Sequence, residues 1–446
     1  MLSFRWAYYF FMTKQIGVIK IYKTRDVILT GFALFAMLFG AGNLIFPPMV
    51  GYVVGNMWTA AAAGFFITGI GFPLLAIISS AYAGKELDDF ADKVSPKFSR
   101  LFNIVLILAI GPFLAIPRTG ATAYEMMILP HTSGDAGIYK YIFLLVYFVV
   151  VLLFSIKANA VVERIGKILT PVLLIILAVI IVKGIFFPMG EPAVKEVTNP
   201  FRYGFYNGYQ TMDTLAAIIF SSIILKAIRN GRSLTVKQEM KFLGNSSLIA
   251  VCGLGIVYGG LLYIGATSYG VLNSTGTTQL LNDIVEKLLG KSGNLAVGLC
   301  VAGACLTTAI GLTATVGDYF SGLLKISYEK IVISTVILSF IFAGFGVDLI
   351  VKVSAPLLTL IYPVAIVLIV LNCFKKYIHS DMIYIGAVIG AAMVGAFEMV
   401  QVLGIQPPLM LNRIYIRLPL NTFGLAWVLP SVISALLFKV IFRNKR

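Results

Sequence analysis

Charged residues are scarce in this sequence. Only 12% of the 446 residues are charged, whereas 59% are hydrophobic and the mean hydropathy is +0.94. A water-soluble domain carries about 25% charged residues, so most of this surface faces something other than water. The scarcity of charge excludes a soluble protein and predicts a membrane protein. Its 42 glycines fit tight helix packing in lipid.

Histidine and cysteine are also scarce. The two histidines, His131 and His379, stand in short connections and are too few for a metal centre or a redox relay. The four cysteines lie within or at the edge of apolar segments: Cys252, Cys300, Cys305 and Cys373. Their spacing fits neither a disulfide framework nor a zinc site. With no acidic cluster either, an enzyme is disfavoured, and neither a catalytic residue nor a cofactor is predicted.

Acidic residues are too few to balance the basic ones. There are 35 Lys and Arg against 19 Asp and Glu, which in a soluble chain would indicate a nucleic-acid partner. Here the basic residues sit between apolar stretches, so they are interpreted as topology signals and no nucleic acid is expected. A phosphate loop is missing as well. Gly290-Lys291-Ser292 lacks the upstream glycine at the required spacing, which disfavours a primary pump.

The apolar stretches predict an all-α polytopic membrane protein with about twelve transmembrane helices, since about 20 apolar residues cross the hydrocarbon core. The predicted spans are 27–53, 57–83, 101–128, 139–156, 166–187, 205–225, 242–268, 293–324, 329–346, 353–374, 382–402 and 421–442. Their connections are too short for a folded soluble domain. We therefore expect one transmembrane domain at 27–442, after a basic N-terminal arm (1–26) and before a short tail (443–446).

Basic residues are unevenly divided between the two sides of the predicted membrane. The side that carries the N-terminal arm and the tail holds 25, the opposite side holds 9, and Arg118 lies inside a span. The positive-inside rule then predicts that both termini are cytoplasmic, which requires an even number of spans. The apolar stretch from Phe4 to Met12 is too short for a span and has no cleavage site after it, so no signal peptide is expected. Whether translation starts at Met1 or Met12 stays open.

Two predicted spans are interrupted near their middles. The first contains Gly40-Ala41-Gly42-Asn43, followed by Pro47-Pro48, where regular hydrogen bonding is expected to end. The sixth contains a polar run between Gly204 and Thr214. Interruptions in lipid are tolerated only where they line a cavity. The alternative is that the glycines are packing notches and that Asn43 makes a helix–helix hydrogen bond.

The two interruptions lie five spans apart, and a repeat of five helices inverts its topology. Paired broken helices at equivalent places in two such halves indicate a secondary-transporter site. The repeats would cover about 27–187 and 205–374, with two extra helices at 382–442. In the eighth span, the adjacent hydroxyls of Thr307 and Thr308, one turn after Ala304, are candidate Na⁺ ligands. The alternative, more favoured when this span is taken alone, is that each hydroxyl bonds a carbonyl of its own helix.

Ionisable residues inside a membrane are costly and indicate function. Asp213, inside the sixth-span interruption, is a candidate to pair with a substrate ammonium, to contribute to a cation site or to carry a proton. Arg118 and Glu125, seven residues apart on one face of the third span, either pair with each other or line a gate. Glu398 in the eleventh span is interpreted as peripheral to the site.

Four segments resemble the branched-chain amino acid:cation symporter family. They are GFALFAMLFGAGNLIFPPMVG (31–51), GPFLAIPRTGATAYE (111–125), GYQTMDTLAA (208–217) and CLTTAIGLTATVGDYF (305–320). The resemblance runs from about residue 24 to 442. It implies a carrier in the bacterial inner membrane that takes up leucine, isoleucine and valine together with Na⁺ or H⁺.

A more distant likeness is to LeuT-type transporters, which have five-plus-five inverted repeats. That likeness implies that Ala41, Gly42 and Asn43 bind the substrate carboxylate and help to hold sodium. It implies a second sodium site in which Ala304, Thr307 and Thr308 face backbone carbonyls of the first span. The expected carbonyl donors are Ala36 and Phe39. In the sixth span, where the match is looser, the expected substrate contacts are Tyr209, Asp213 and Thr214.

The sequence thus predicts a secondary active symporter that works by alternating access, with a lipid bilayer around it and no cofactor besides the coupling ion. Two alternatives stay open: a cation-coupled transporter of another small amino acid or related solute, and, less favoured, a passive channel. The choice between Na⁺ and H⁺, the ranking of the three substrates and the oligomeric state are not fixed by the sequence.

Overall fold

A computed structural model describes residues 24–84, 87–132, 136–156, 160–229 and 236–442. Within these ranges the chain is helical and has no β-strand, so the all-α prediction is confirmed for the described part. Most of the predicted N-terminal arm and the whole predicted tail lie outside the described residues.

The described residues form seventeen α-helices, numbered here in chain order. They are α1 (Thr24–Leu38), α2 (Ala41–Val54), α3 (Trp58–Phe66), α4 (Phe72–Ala83), α5 (Pro96–Leu108), α6 (Ala115–Met127), α7 (Ala136–Ile156), α8 (Ala160–Phe186), α9 (Pro200–Tyr209), α10 (Asp213–Arg229), α11 (Val236–Ser268), α12 (Thr277–Leu324), α13 (Tyr328–Ala343), α14 (Val347–Cys373), α15 (Asp381–Val402), α16 (Leu409–Ile416) and α17 (Val428–Ile441). Short π-helical segments join α3 to α4 (Ile67–Gly71) and precede α6 (Ala109–Phe113).

Seven helical stretches of the described residues are long and apolar enough to cross a membrane. They are Ala41–Ala83, Pro96–His131, Gly137–Ile156, Gln238–Ser268, Thr277–Leu324, Val347–Cys373 and Asp381–Val402. This number counts continuous helical stretches of at least 18 residues, which can contain short 3₁₀ or π-helical segments. The helices α1, α9 and α10 have 15, 10 and 17 residues and fall short because two predicted spans are broken there. The number of twelve spans therefore stays a prediction.

Glycines bring two pairs of helices into backbone contact. A Cβ atom at Gly51 of α2 would lie 1.9 Å from the carbonyl oxygen of Leu262 on α11. A Cβ atom at Gly204 of α9 would lie 1.9 Å from the carbonyl oxygen of Ala61 on α3. In lipid, van der Waals packing between close backbones is a main source of helix association. These glycines therefore hold α2 and α9 in the bundle.

The paired prolines do not end the helix that contains them. The helix α2 runs through Pro47 and Pro48 to Val54, so the expectation that regular structure stops there is wrong. The neighbouring α11 approaches so closely that a Cβ atom at Gly265 would lie 1.9 Å from the Pro48 carbonyl oxygen. Proline is tolerated inside membrane helices where neighbouring helices support the backbone, and α11 gives that support.

Gly51→Ala is expected to lower the melting temperature of the purified protein by several degrees. The new methyl group meets backbone rather than a movable side chain, and overpacking of this kind costs about 1–3 kcal/mol. The matched control is Gly244→Ala on α11, where a Cβ atom meets nothing within 4 Å. Equal melting temperatures for the two variants in a thermal-shift assay would contradict the close packing.

Glycines and prolines also divide two of the longer helical stretches. Gly111 has a non-helical ψ of −123° beside Pro112, and α6 starts again at Ala115 with Pro117 in its first turn. The third predicted span is therefore kinked at Gly111. Gly290, with a φ of +74°, breaks α12, and the eighth predicted span lies after that break.

Candidate functional site

The first span breaks between α1 and α2. Gly40 is extended there, with a φ of −118° and a ψ of −171°. The side chain of Asn43 spans the break: its Oδ1 accepts from the Gly40 N–H at 3.1 Å, and its Nδ2 donates to the Leu38 carbonyl at 3.1 Å. The predicted interruption is confirmed, and Ala41 and Gly42 are the first two residues of α2.

The sixth span breaks between α9 and α10. The helix α9 ends at Tyr209, and α10 begins at Asp213. Between them Met212 has a left-handed φ of +62°, a conformation that is uncommon for a non-glycine residue. This interruption is also confirmed. The carbonyls of Asn207, Gly208 and Tyr209 accept hydrogen bonds from the N–H groups three residues later, so α9 ends in a tight turn.

The two breaks meet at three side chains, which we call the break cluster: Asn43, Asp213 and Tyr258. Asn43 Nδ2 donates to Asp213 Oδ2 at 2.8 Å, and the Tyr258 hydroxyl donates to the same oxygen at 2.9 Å. Asn43 also hydrogen-bonds the Tyr258 hydroxyl. All three side chains are at most 2% exposed. The cluster therefore joins α2, α10 and α11 around a buried carboxylate.

Arg118 on α6 lies against both breaks. Its Nη1 donates to the Gln210 carbonyl, in the second break, at 2.6 Å. Its guanidinium carbon lies 5.3 Å from the centre of the Phe46 ring on α2. Gln210 is held in place by Ser354 of α14, whose hydroxyl donates to its Oε1 at 2.8 Å.

Glu125 does not pair with Arg118 among the described residues, so that alternative is wrong. Its Oε1 accepts from the Val347 N–H, at the start of α14, at 2.9 Å, and its Oε2 accepts from the Thr278 hydroxyl of α12. Nearby, Asp348 accepts from the Thr277 hydroxyl at 2.7 Å. Glu125 thus ties α6 to the first turns of α12 and α14, at a distance from the break cluster along α6.

The π-helical segment after α3 contacts the second break. Thr68 donates to the Phe205 carbonyl at 2.9 Å, and its own carbonyl accepts from Thr214 at 3.2 Å. Tyr209 stacks on Tyr362 of α14 with ring centres 4.0 Å apart. The hydroxyl of Thr214 therefore bonds to backbone, and the Tyr209 ring packs against α14 where α9 ends.

The eighth-span threonines converge on one carbonyl. The hydroxyls of Thr307 and Thr308 donate to the Ala304 carbonyl at 2.9 and 3.0 Å. Three oxygen atoms therefore lie close together on α12, bonded within their own helix as the alternative interpretation expected. Of the expected carbonyl donors, Phe39 is buried at the first break and Ala36 is exposed on α1.

Several residues around the breaks were not selected by the sequence interpretation: Tyr258, Gln210, Ser354 and Thr68. Gln210 lies in the polar run that was recognised, so polarity within the interruption was a usable signal. Tyr258, Ser354 and Thr68 are single polar residues in apolar helices, and nothing in their local sequence distinguishes them from packing residues. Glu398 accepts from the Tyr415 hydroxyl of α16 at 2.9 Å, away from the break cluster.

The chain matches the family model described as branched-chain amino acid transport protein over residues 23–445. The branched-chain amino acid permease BraB of Bacillus subtilis (strain 168) is 38% identical over 425 residues, which cover 94% of this chain and 95% of that protein. The branched-chain amino acid transport system 2 carrier protein of Pseudomonas aeruginosa is 35% identical over 423 residues, covering 94% of this chain and 96% of that carrier.

Two solved transporter structures share the fold at low sequence identity. The crystal structure of MhsT in complex with L-phenylalanine matches with a TM-score of 0.56 at 15% identity and covers 95% of this chain and 99% of that one. The closed conformation of Mhp1, a nucleobase-cation-symport-1 family transporter, matches with a TM-score of 0.58 at 15% identity and 93% coverage of both chains. By the family match and these relatives, the chain belongs to the branched-chain amino acid transport proteins.

Proposed function

We propose that this protein is a secondary active symporter that imports leucine, isoleucine and valine across the bacterial cell membrane. The observation that carries the proposal is the meeting of two broken helices at the break cluster, where Asn43 and Asp213 are in contact across 170 residues of sequence. Relatives 35–38% identical along nearly the whole chain are named branched-chain amino acid permeases or carriers.

The proposed architecture is a single transmembrane domain (27–442) with twelve spans. Inverted repeats at about 27–187 and 205–374 would relate the first span to the sixth and the second to the seventh. Matched packing supports this relation. The helix α2 of the first span contacts α11 of the seventh at Gly51, and α9 of the sixth contacts α3 of the second at Gly204. The last two spans (382–442) are the additional helices.

Both termini are proposed to be cytoplasmic, on the strength of the 25 to 9 division of basic residues. An epitope tag at either end should then be reached by antibody only after the cell membrane is permeabilised. Labelling of either tag on intact spheroplasts would contradict this orientation.

The amino acid is proposed to bind between the breaks. Its carboxylate would meet the backbone amides of Ala41 and Gly42, because the N-terminus of a helix favours an anion. Its ammonium would lie near Asp213 and the carbonyls that follow Tyr209, and Thr214 would line the same break. One methylene is worth about 1–3 kcal/mol in an apolar pocket, so discrimination among the three substrates should be weak.

The coupling ion is proposed to be Na⁺, bound by the carbonyl and hydroxyl oxygens of α12 opposite carbonyls of the first span; H⁺ is the alternative ion. The expected ligands are Ala36, Phe39, Ala304, Thr307 and Thr308. The proposal is supported by the positions of the two threonine hydroxyls, which lie 2.9 and 3.0 Å from the Ala304 carbonyl oxygen. Neutral oxygen atoms of this kind suit a hard cation.

Arg118 and Glu125, which lie seven residues apart on α6, are proposed to take part in alternating access. Arg118 contacts the second break, whereas Glu125 fastens α6 to the first turns of α12 and α14. Each ligand favours the occluded state, and the coupling free energy between them is reciprocal, about 1–3 kcal/mol.

The test is uptake of labelled leucine into proteoliposomes under imposed gradients of Na⁺ or H⁺. We expect accumulation above the external concentration when an inward cation gradient is present, and loss of that accumulation when an ionophore collapses it. Equilibration without accumulation would indicate a passive channel and contradict the symporter. Competition by unlabelled isoleucine and valine, but not by lysine, would confirm the substrate class.

A further inference from the structure

Arg118 carries a buried positive charge that has no anionic partner at contact distance among the described residues. The residue is 4% exposed. Its single side-chain hydrogen bond in the described structure runs from Nη1 to the Gln210 carbonyl, so Nη2 and Nε donate to no described acceptor. Asp213 acts on it through space but forms no ion pair with it.

The guanidinium also lies against the N-terminus of α2. A Cβ atom at Gly42 would lie 2.8 Å from Nη2 and 3.2 Å from Cζ of Arg118. A helix N-terminus already carries a partial positive charge. A full positive charge placed beside it and left without a carboxylate is electrostatically unfavourable, and an anion bound between the two would relieve it.

The Asp213 carboxylate does not take that position, because its Oδ2 accepts from Asn43 and Tyr258. The bond to Gln210 serves the opposite end of the site, since that carbonyl lies just past the C-terminus of α9, where a cation is favoured. The guanidinium is therefore held on the α9 side by a hydrogen bond from Nη1, and its Nη2 lies beside Gly42.

We propose that Arg118 binds the α-carboxylate of the transported amino acid, together with the amides of Ala41 and Gly42. This inference rests on the proposed function and deepens it. A charged side chain, in addition to backbone amides, would then recognise the substrate carboxylate. Arginine suits this role because its planar fork matches a carboxylate in two parallel hydrogen bonds. Gly42 is glycine because a side chain there would displace the guanidinium.

The experiment compares two ligands that differ only at the carboxylate. Leucine and leucinamide are measured by competition against labelled leucine, or by thermal shift, on purified protein in saturating NaCl at fixed pH. The variants are Arg118→Gln, which removes the charge, and Arg118→Lys, which keeps the charge but not the fork. Arg202→Gln is the control, since Arg202 is another arginine of the helical bundle and donates to the Tyr415 hydroxyl instead.

In the unsubstituted protein leucine should bind at least about 30-fold more tightly than leucinamide, the usual effect of leaving a buried charge unpaired. Arg118→Gln should remove most of that preference by weakening leucine alone, Arg118→Lys should keep an intermediate preference, and Arg202→Gln should keep all of it. If Arg118→Gln does not fold, the intermediate ratio of Arg118→Lys carries the test.

The proposal would be overturned if the ratio of leucine to leucinamide affinity were unchanged in Arg118→Gln, or in Arg118→Lys where that variant alone folds. Equal weakening of both ligands would also overturn it, because that result indicates a purely structural role for Arg118. These results leave the symporter itself intact, because leucine still binds to the unsubstituted protein. If leucine fails to bind even there, the proposed function falls first and the carboxylate assignment falls with it.

Discussion

Asp213→Asn is expected to lower leucine affinity by about 30-fold or more and to abolish measurable accumulation. The substitution keeps the shape of the side chain and an acceptor oxygen for Asn43 and Tyr258, so the break cluster can still form. It removes the negative charge that the proposed binding mode places beside the substrate ammonium. Removing one partner of a buried charge pair costs about 2–5 kcal/mol, or about 30-fold to several thousandfold in affinity.

The measurement is equilibrium binding of labelled leucine to the purified variant, followed by uptake in proteoliposomes. Glu398→Gln is the matched control, because Glu398 is another carboxylate that is 2% exposed but bonds Tyr415 outside the breaks. It should bind leucine as the unsubstituted protein does. If Asp213→Asn binds leucine normally but loses accumulation, the carboxylate carries the coupling ion or a proton, and the ammonium assignment is wrong.

A substitution at Tyr258 separates the contribution of the break-cluster hydrogen bonds to leucine affinity from the contribution of the Asp213 charge. Removal of its hydroxyl takes one donor from Asp213 but leaves the charge in place. The net value of one such hydrogen bond to a charged group is about 1.5–3 kcal/mol, a range that overlaps but is centred below the range of about 2–5 kcal/mol expected for the charge. Tyr258→Phe should therefore bind leucine more tightly than Asp213→Asn does.

The two helix breaks could be predicted because the sequence at each of them is unusual for a membrane-spanning helix. Glycines and a polar run inside apolar helices are costly in lipid unless the backbone is supported by protein or a cavity, so Gly40 to Asn43 and Gly204 to Thr214 stand out. The expectation that Pro47 and Pro48 end regular helix structure is wrong because it considers only the local sequence. Proline removes a hydrogen bond of its own helix, but the support that α11 gives at Gly265 depends on contacts distant in sequence.

The partners of the charged side chains could not be predicted from spacing. Arg118 and Glu125 are seven residues apart and share one face of α6, yet Arg118 contacts the breaks and Glu125 contacts α12 and α14. Two turns of helix separate them by about 10 Å, which is enough for each to meet different helices. Local periodicity gives the face of a helix, and only the packing of the bundle decides what lies opposite that face.

Replacing both Thr307 and Thr308 with Ala is expected to raise the Na⁺ concentration for half-maximal leucine uptake by about 100-fold, and each single substitution by about tenfold. Each change deletes one proposed oxygen ligand, whose net contribution is about 1–1.5 kcal/mol when compared with a hydrogen bond of the same atom. Maximal uptake at saturating Na⁺ should fall much less, because the proposed substrate contacts at the breaks are unchanged.

The control lies on the same helix. Thr315 donates to the Gly311 carbonyl at 2.8 Å, the same i−4 bond that Thr308 makes to Ala304, but it is not among the proposed ligands. Thr315→Ala should therefore lose the same kind of helix bond without a change in Na⁺ dependence. If Thr315→Ala and the double variant shift equally, the α12 hydroxyls act through helix geometry and not as ligands. If the unsubstituted protein accumulates leucine under a pH gradient without Na⁺, the cation is H⁺, and the oxygens of α12 need another explanation.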